Sequence, residues 1–309
     1  MNESALIVEN ASQVIIGKGK ALELMTVALL AGGHILLEDV PGLGKTLMAK
    51  ALARSIGGSF KRIQCTPDLL PSDVTGLSVY NQKSGEFVFH PGPVMSNVLL
   101  ADEINRTIPR TQASLLESMG EGQVTVDGRT LELPKPFFVI ATQNPIELEG
   151  TFPLPEAQLD RFLMKIHIGY PKKEEELSLL ERFISQDPML SLSAVSSPER
   201  ILALQQERKN VLVSAPVREY ITDLVGATRT HPKVRYGASP RGSLGLTRSA
   251  QALALVRGRN YVLPDDVKEL AGSVLPHRII VRNEERAKGL TAEAVVSEIV
   301  ASLAVPSPV

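Results

Sequence analysis

The 309 residues predict an α/β protein, a parallel β-sheet sandwiched between two helical layers (αβα), followed by an all-α unit. Three observations carry this. Short apolar runs at 35–37, 97–101 and 137–141 alternate with helical patterns, and strands buried on both faces read as continuous apolar runs. The first run passes through a Pro/Gly turn straight into an amphipathic segment. After Tyr170-Pro171 helical periodicity dominates to the end, so a boundary is expected there, dividing the chain into 1–170 and 171–309.

In chain order, residues 12–31 carry apolar side chains on nearly every face (Leu22, Met25, Val27, Leu29), which predicts a buried helix. Ile15, Ile16 and Gly17 before it are either ordinary core or the wall of a pocket for a flat ring. A helix over 47–56 is stopped by Gly57-Gly58, and a strand follows at 60–65. Residues 79–89 and 123–133 are hairpin candidates. The second is the stronger, because Asp127-Gly128 lies between two alternating runs. Tyr80, Phe87 and Phe89 form an aromatic group on the first. A helix is expected over 109–119. Beyond the boundary, residues 172–176 start a solvated helix, the Ser-rich stretch 191–199 breaks the pattern, and Leu263-Pro264-Asp265-Asp266 opens a further helix.

Composition narrows the function. Apolar content of 43% and charged content of 22% are ordinary for a soluble protein. A net charge of −1 offers no global electrostatic footprint for nucleic acid. Cys65 is alone, which rules out an intramolecular disulfide and a Cys-rich metal site. The first twelve residues lack the basic and apolar regions of a secretory signal. The longest apolar stretch, 24–37, is broken by Gly32-Gly33-His34 and is too short to span a bilayer. A cytoplasmic protein without a transmembrane segment is expected.

The chemistry begins in residues 34–50. Buried strand, glycine turn and helix N-terminus build an anion cradle, because successive N–H groups and the helix dipole converge on one point. The P-loop (Walker A) pattern asks for Gly, four residues, then Gly-Lys-Ser/Thr. Gly44, Lys45 and Thr46 fit it, while Asp39 stands where the first Gly is expected. The turn Asp39, Val40, Pro41, Gly42, Leu43, Gly44, Lys45, Thr46 and Leu47 is therefore expected to hold phosphate. The run 98–101 ends in Asp102-Glu103 (Walker B), and two acids at the tip of a buried strand are costly unless they hold a cation or move a proton. Asp102 and Thr46 would hold Mg²⁺, and Glu103 would polarise the attacking water. The plain alternative is that the acids cap the following loop. Asn144, after the third strand, is suited to holding that water without adding charge. Its plain alternative is a turn asparagine before Pro145.

The strings LLEDVPGLGKT, LLADEINR, ATQNP and FPLPEAQLDRF, with GASPRG at 237–242, together resemble the MoxR family of AAA+ proteins, in the helix-2-insert, chelatase-like clade. Asp39 agrees with that family's version of the loop. The resemblance implies an AAA+ P-loop NTPase core with a helical lid, ATP/ADP and Mg²⁺ as cofactors, and ATP hydrolysis. It implies that Lys45 pairs the β- and γ-phosphates and that Glu103 is the catalytic base. Asn144 takes the sensor-1 position, Arg161 the arginine finger offered to a neighbouring subunit, and Arg241 the sensor-2 position, in cis or in trans. Arg106 and Arg110 are either surface charge or further trans contacts. The two hairpins match inserts that face the pore of a ring. A homo-oligomeric ring, hexameric in such proteins, is implied, with a von Willebrand factor A domain partner and an unknown protein client. The function implied is chaperone-like remodelling that matures or activates a target complex, often by helping metal or cofactor insertion. Two other classes compete. A nucleic-acid motor shares the hairpin insert but is disfavoured, because 123–133 offers only Arg129 to phosphates. A nucleotide-gated scaffold with slow hydrolysis is disfavoured because every catalytic position is filled.

Overall fold

The structure, a computed structural model, describes residues 2–145, 150–185 and 188–306. Strands β1 (Ile35–Glu38), β2 (Phe60–Gln64), β3 (Val98–Asp102), β4 (Phe138–Gln143) and β5 (Met164–Ile166) form one all-parallel sheet in the order β2-β3-β4-β1-β5. In β1, Ile35 and Leu37 join one apolar core while Leu36 joins the other. A strand that buries both of its alternating faces has no polar positions to spare, which is why its sequence reads as an unbroken apolar run. The first core lies against helices Gly19–Leu30 and Lys45–Ser55 and continues without a break through the C-terminal helices to Ile299. The second lies against helix Pro109–Glu121.

Several boundaries differ from expectation for local reasons. The helix expected over 12–31 starts only at Gly19, because Gly17 turns the chain with φ +72°. Of the preceding residues, Ile15 is buried, Ile16 half-buried and Gly17 exposed. An unexpected helix, Glu3–Ser12, is capped by the Asn2 side chain, which accepts from the Ser4 N–H, and buries Ile7 and Ala11 four residues apart. The helix after the glycine turn begins at Lys45, before the apolar pattern does. The C-terminal helices Pro198–Arg208, Ala215–Thr230, Pro240–Val256, Pro264–Val274 and Ala292–Ser302 are joined by a two-stranded ribbon, Val234–Tyr236 with Ile280–Val281, that the sequence pattern did not suggest.

Both hairpins form, Gly76–Asn81 with Glu86–Pro91 and Gln123–Val126 with Arg129–Glu132. Asp127 and Gly128 both take positive φ (50° and 75°), the backbone that matches the twist of a two-residue hairpin. On the first hairpin Tyr80 lies opposite Phe87, ring centroids 5.3 Å apart, and Phe87 is 73% exposed. Phe89 shares their face but is half-buried near the base of the ribbon. Among the described residues no helix is long and apolar enough to cross a membrane.

One histidine stitches the N-terminal edge of the sheet. His34 Nε2 lies 3.0 Å from the Met119 carbonyl and Nδ1 3.0 Å from the Val139 N–H. A carbonyl can only accept and an amide N–H can only donate, so the ring is neutral with its proton on Nε2. Burial pushes its pKa from 6.5 down to about 4. The unfolded chain therefore binds a proton on this ring between pH 6.5 and 4 that the folded chain refuses, and stability falls as pH falls through that window. Between pH 7.5 and 4.5 His34 is expected to remove about 2.5 kcal/mol, with a slope of about 1.2 kcal/mol per pH unit at its steepest, midway between the two pKa values. Urea unfolding at the two pH values should show this loss in the parent and not in His34→Gln, whose amide can donate to Met119 and accept from Val139. Equal losses in both proteins would remove His34 as the cause.

Candidate active site

The turn between β1 and helix Lys45–Ser55 opens at the C-terminal edge of the sheet. Gly42 and Gly44 hold φ of +85° and +82°, and a Cβ built on either meets nothing within 4 Å, so backbone N–H groups border open space. Gly44 caps the helix without any side-chain hydrogen bond, leaving the first-turn donors available to an anion. Lys45 Nζ donates to the Asp39 carbonyl at 2.6 Å, and burial pulls its ammonium below the ordinary value against the opposing carboxylates of Asp39, Asp102 and Glu103. Phosphate oxygens would relieve that desolvation.

Asp39 itself faces the other way. Its carboxylate accepts from the Ile168 N–H and, at 3.3 Å, from the Gly169 N–H. Lys18 Nζ grips the same segment through the carbonyls of Gly169 and Tyr170, both at 3.0 Å. Because Asp39 keeps a negative φ, the position has no need of glycine, and its side chain anchors the chain just past β5.

A cavity of about 460 Å³ is lined by Pro41, Gly42, Gly44, Lys45, Thr46 and Leu47 from the turn and helix, with Asp102, Glu103, Thr142 and Asn144 from the strand ends. This size lies within the range of nucleotide-sized pockets. Asp39, Val40 and Leu43 shape the turn without lining the cavity. Asp102 accepts from Arg62 Nη2 at 2.7 Å and from the Thr142 hydroxyl at 2.6 Å. Thr142 in turn accepts the Glu103 N–H at 2.8 Å, so one hydroxyl orients both acids. Glu103 adopts φ +58°, a conformation costly for a side-chain-bearing residue, of order 1–3 kcal/mol. Its carboxylate is held by Gln64 Nε2 at 2.8 Å and Arg106 Nη1 at 3.1 Å. Arg106 thus serves its own subunit's acid, while Arg110 is exposed at the start of helix Pro109–Glu121. Asn144 is 7% exposed at the same edge. Thr46 hydroxyl and Asp102 carboxylate share the cavity, an all-oxygen donor pair that would suit a hard cation such as Mg²⁺. Cys65, also near the acids, is inert. Burial and then the neighbouring Asp102 and Glu103 push its thiol up to about 12.

Arg62, Gln64 and Thr142 were not anticipated. Arg62 and Gln64 alternate with buried Ile63 on the edge strand β2, which turns both towards the acid tip of β3. Thr142 and Asn144 lie two residues apart at the end of β4, beside the same tip.

Arg161 and Arg241 are not brought to this cavity. Arg161 precedes β5 and lies at the N-terminal edge, beside Gly33 and His34. From His34 to Glu38 the sheet alone spans roughly 13 Å at about 3.3 Å per residue. Arg161 Nη1 donates to the Leu116 carbonyl at 3.1 Å and passes over Gly120, where a Cβ would sit 2.6 Å from it. That close approach explains a glycine inside helix Pro109–Glu121. Arg241, 63% exposed, stands 3.6 Å from Asp160 in the same second cavity, of about 350 Å³.

Comparison with known proteins bears on the family and the fold. Residues 34–164 match the ATPase family associated with various cellular activities (AAA), and residues 226–299 match the AAA lid domain. The chain is 55% identical over 299 residues to the uncharacterised protein YeaC of Bacillus subtilis, covering 97% of this chain and 93% of that one. It is 45% identical over 303 residues to chaperone MoxR1 of Mycobacterium tuberculosis, covering 95% and 80%. A crystal structure from Cytophaga hutchinsonii, provisionally described as an ATPase, superposes with a TM-score of 0.93 at 41% identity over 99% of this chain and 96% of that one.

Proposed function

The chain belongs to the MoxR family of AAA+ ATPases, and we propose that it hydrolyses ATP to ADP and phosphate as one subunit of a ring in which each neighbour completes the site. Residues 1–170 form the nucleotide-binding core and 171–309 the lid, a division supported by the lid match at 226–299. The turn Gly42–Leu47 takes the phosphates, with Lys45 as their cation. Thr46 and Asp102 hold Mg²⁺, which supplies charge neutralisation on the phosphates when bound. Glu103 removes a proton from the attacking water, and Asn144 fixes that water.

The observation that carries the ring is the placing of the arginines. Arg161 and Arg241 stand at the opposite edge of the sheet from Lys45, so neither reaches its own subunit's phosphates without crossing the sheet. On that geometry both act in trans, and the transition-state charge stays uncompensated in a lone subunit. Sedimentation velocity with ATPase assays across a hundredfold dilution tests this. Turnover per subunit should fall as rings dissociate, and a rate that holds in a monomeric sample would overturn it.

The family resemblance extends the reading to a hexamer acting in the cytoplasm with a von Willebrand factor A domain partner, maturing or activating a target complex, with metal or cofactor insertion as one form of that work. The name of the Mycobacterium relative, a chaperone, supports the remodelling part. The exposed Tyr80–Phe87 ribbon supports a hairpin that grips protein rather than nucleic acid, since Lys83 is the single lysine or arginine between residues 76 and 91 and strand tracking needs several cations beside its aromatics.

A further inference from the structure

We propose that Asp160 and Arg278 are positioning residues that hold Arg161 and Arg241 together as one unit facing the neighbouring subunit's nucleotide. The inference rests on the trans reading above and adds the pair that fixes its geometry. Arg278 is a lid residue whose side chain is only 4% exposed. Its Nε donates to Asp160 Oδ1 at 2.9 Å. Its two terminal nitrogens donate to the Phe162 carbonyl at 2.6 Å, the Leu163 carbonyl at 3.1 Å and the Val274 carbonyl. One guanidinium therefore ties the segment carrying Arg161 to the end of helix Pro264–Val274. The second Asp160 oxygen faces Arg241 Nη1 at 3.6 Å. Asp160 is thus shared between a buried arginine and an exposed one, and is the chain neighbour of Arg161.

The charge balance gives the purpose. Four guanidinium groups (Arg161, Arg241, Arg248 and Arg278) surround one carboxylate in this cavity. Among the described residues, Arg161 and Arg248 have no carboxylate within 4 Å. A fold gains nothing from gathering uncompensated cations, and the missing anion has the chemistry of a polyphosphate. Asp160 keeps Arg278 compensated and stops Arg241 from being pushed away from it. A neutral residue there leaves a buried cation unpaired and its exposed neighbour repelled. Arg161, whose own fixed contact is the Leu116 carbonyl, then shifts with its segment.

Mixed rings test this. Asp160→Asn should lower kcat about a hundredfold, the scale of an ångström-sized misplacement, while KM for ATP stays within about twofold. Its phosphate cavity is intact, so mixing it with Lys45→Ala, which offers an intact arginine edge, should restore turnover. Mixing it with Arg161→Ala should not, because both are damaged on the same edge. Near-parental kcat in Asp160→Asn, or rescue of Arg161→Ala but not of Asp160→Asn by Lys45→Ala, would overturn the positioning role. If Arg161→Ala itself is not rescued by Lys45→Ala, the trans reading fails and takes this proposal with it. Arg278→Lys keeps the charge but loses the planar fork, and carries the same test should Asp160→Asn melt early.

Discussion

Glu103→Gln is expected to bind ATP as the parent does and to turn it over about 10²–10⁴ times more slowly, the usual contribution of a positioned general base. The substitution removes one charge and little else. A glutamine can keep the backbone φ of +58°, the N–H donated to Thr142, and an oxygen to accept from Gln64 and Arg106. Gly42, Gly44, Lys45 and Thr46 lie on the other wall of the cavity and are untouched, so the affinity for nucleotide has no reason to fall. Asp102 stays held by Arg62 and Thr142, so the metal ligand is preserved as well. Phosphate release and fluorescent-nucleotide titration on the same preparation separate the two effects. Parental turnover would remove Glu103 from its role, and lost binding would mean that the substitution damaged the cradle. The same variant, loaded with ATP, is the bait that tests the proposed client and von Willebrand factor A domain partner by recovery from the native cell.

The acids and the glycine turn were legible because their signals are local. Two carboxylates ending a buried strand are costly but also common as loop caps, and a glycine turn before a helix is an anion cradle by its own backbone, so each became readable through the other. Asp39 was legible only as a departure. Its reason lies near Ile168 and Gly169, some 130 residues away, and no window of sequence contains both. Arg62 and Gln64 escaped notice because polar residues on an edge strand are ordinary, and only the register of β2 against β3 turns them towards Asp102 and Glu103. Strand β5 is three residues long, too short for a periodic signal. Helix Glu3–Ser12 was missed because its apolar face is narrow, with Ile7 and Ala11 as its buried apolar residues. The arginines show the limit most clearly. Motifs pointed to Arg161 and Arg241 as functional, but the edge of the sheet on which each stands is a property of the parallel topology.

That topology makes the second large effect specific. Arg161→Ala is expected to assemble in the presence of ATP and to hydrolyse it about 10³–10⁵ times more slowly, the range for loss of an arginine finger. The side chain donates to the Leu116 carbonyl, which is part-buried, and passes over Gly120, so its loss opens a small space without leaving a buried charge unpaired. Folding should therefore survive, and a melting temperature close to the parent's is part of the expectation. Lys45→Ala is dead for the complementary reason, having lost the cation of its own cradle while keeping its arginine edge. In rings formed from both, an Arg161→Ala subunit beside a Lys45→Ala subunit has an intact cradle facing an intact arginine. In a hexamer mixed at random and in equal amounts, roughly a quarter of all junctions meet that condition, so turnover should rise far above that of either variant alone while staying below the parent's. A cis or purely structural arginine predicts no rise at any mixing ratio, because no subunit then carries both groups. Stepping the ratio between the two variants should give a maximum near equal amounts, and a flat response would overturn the trans role of Arg161.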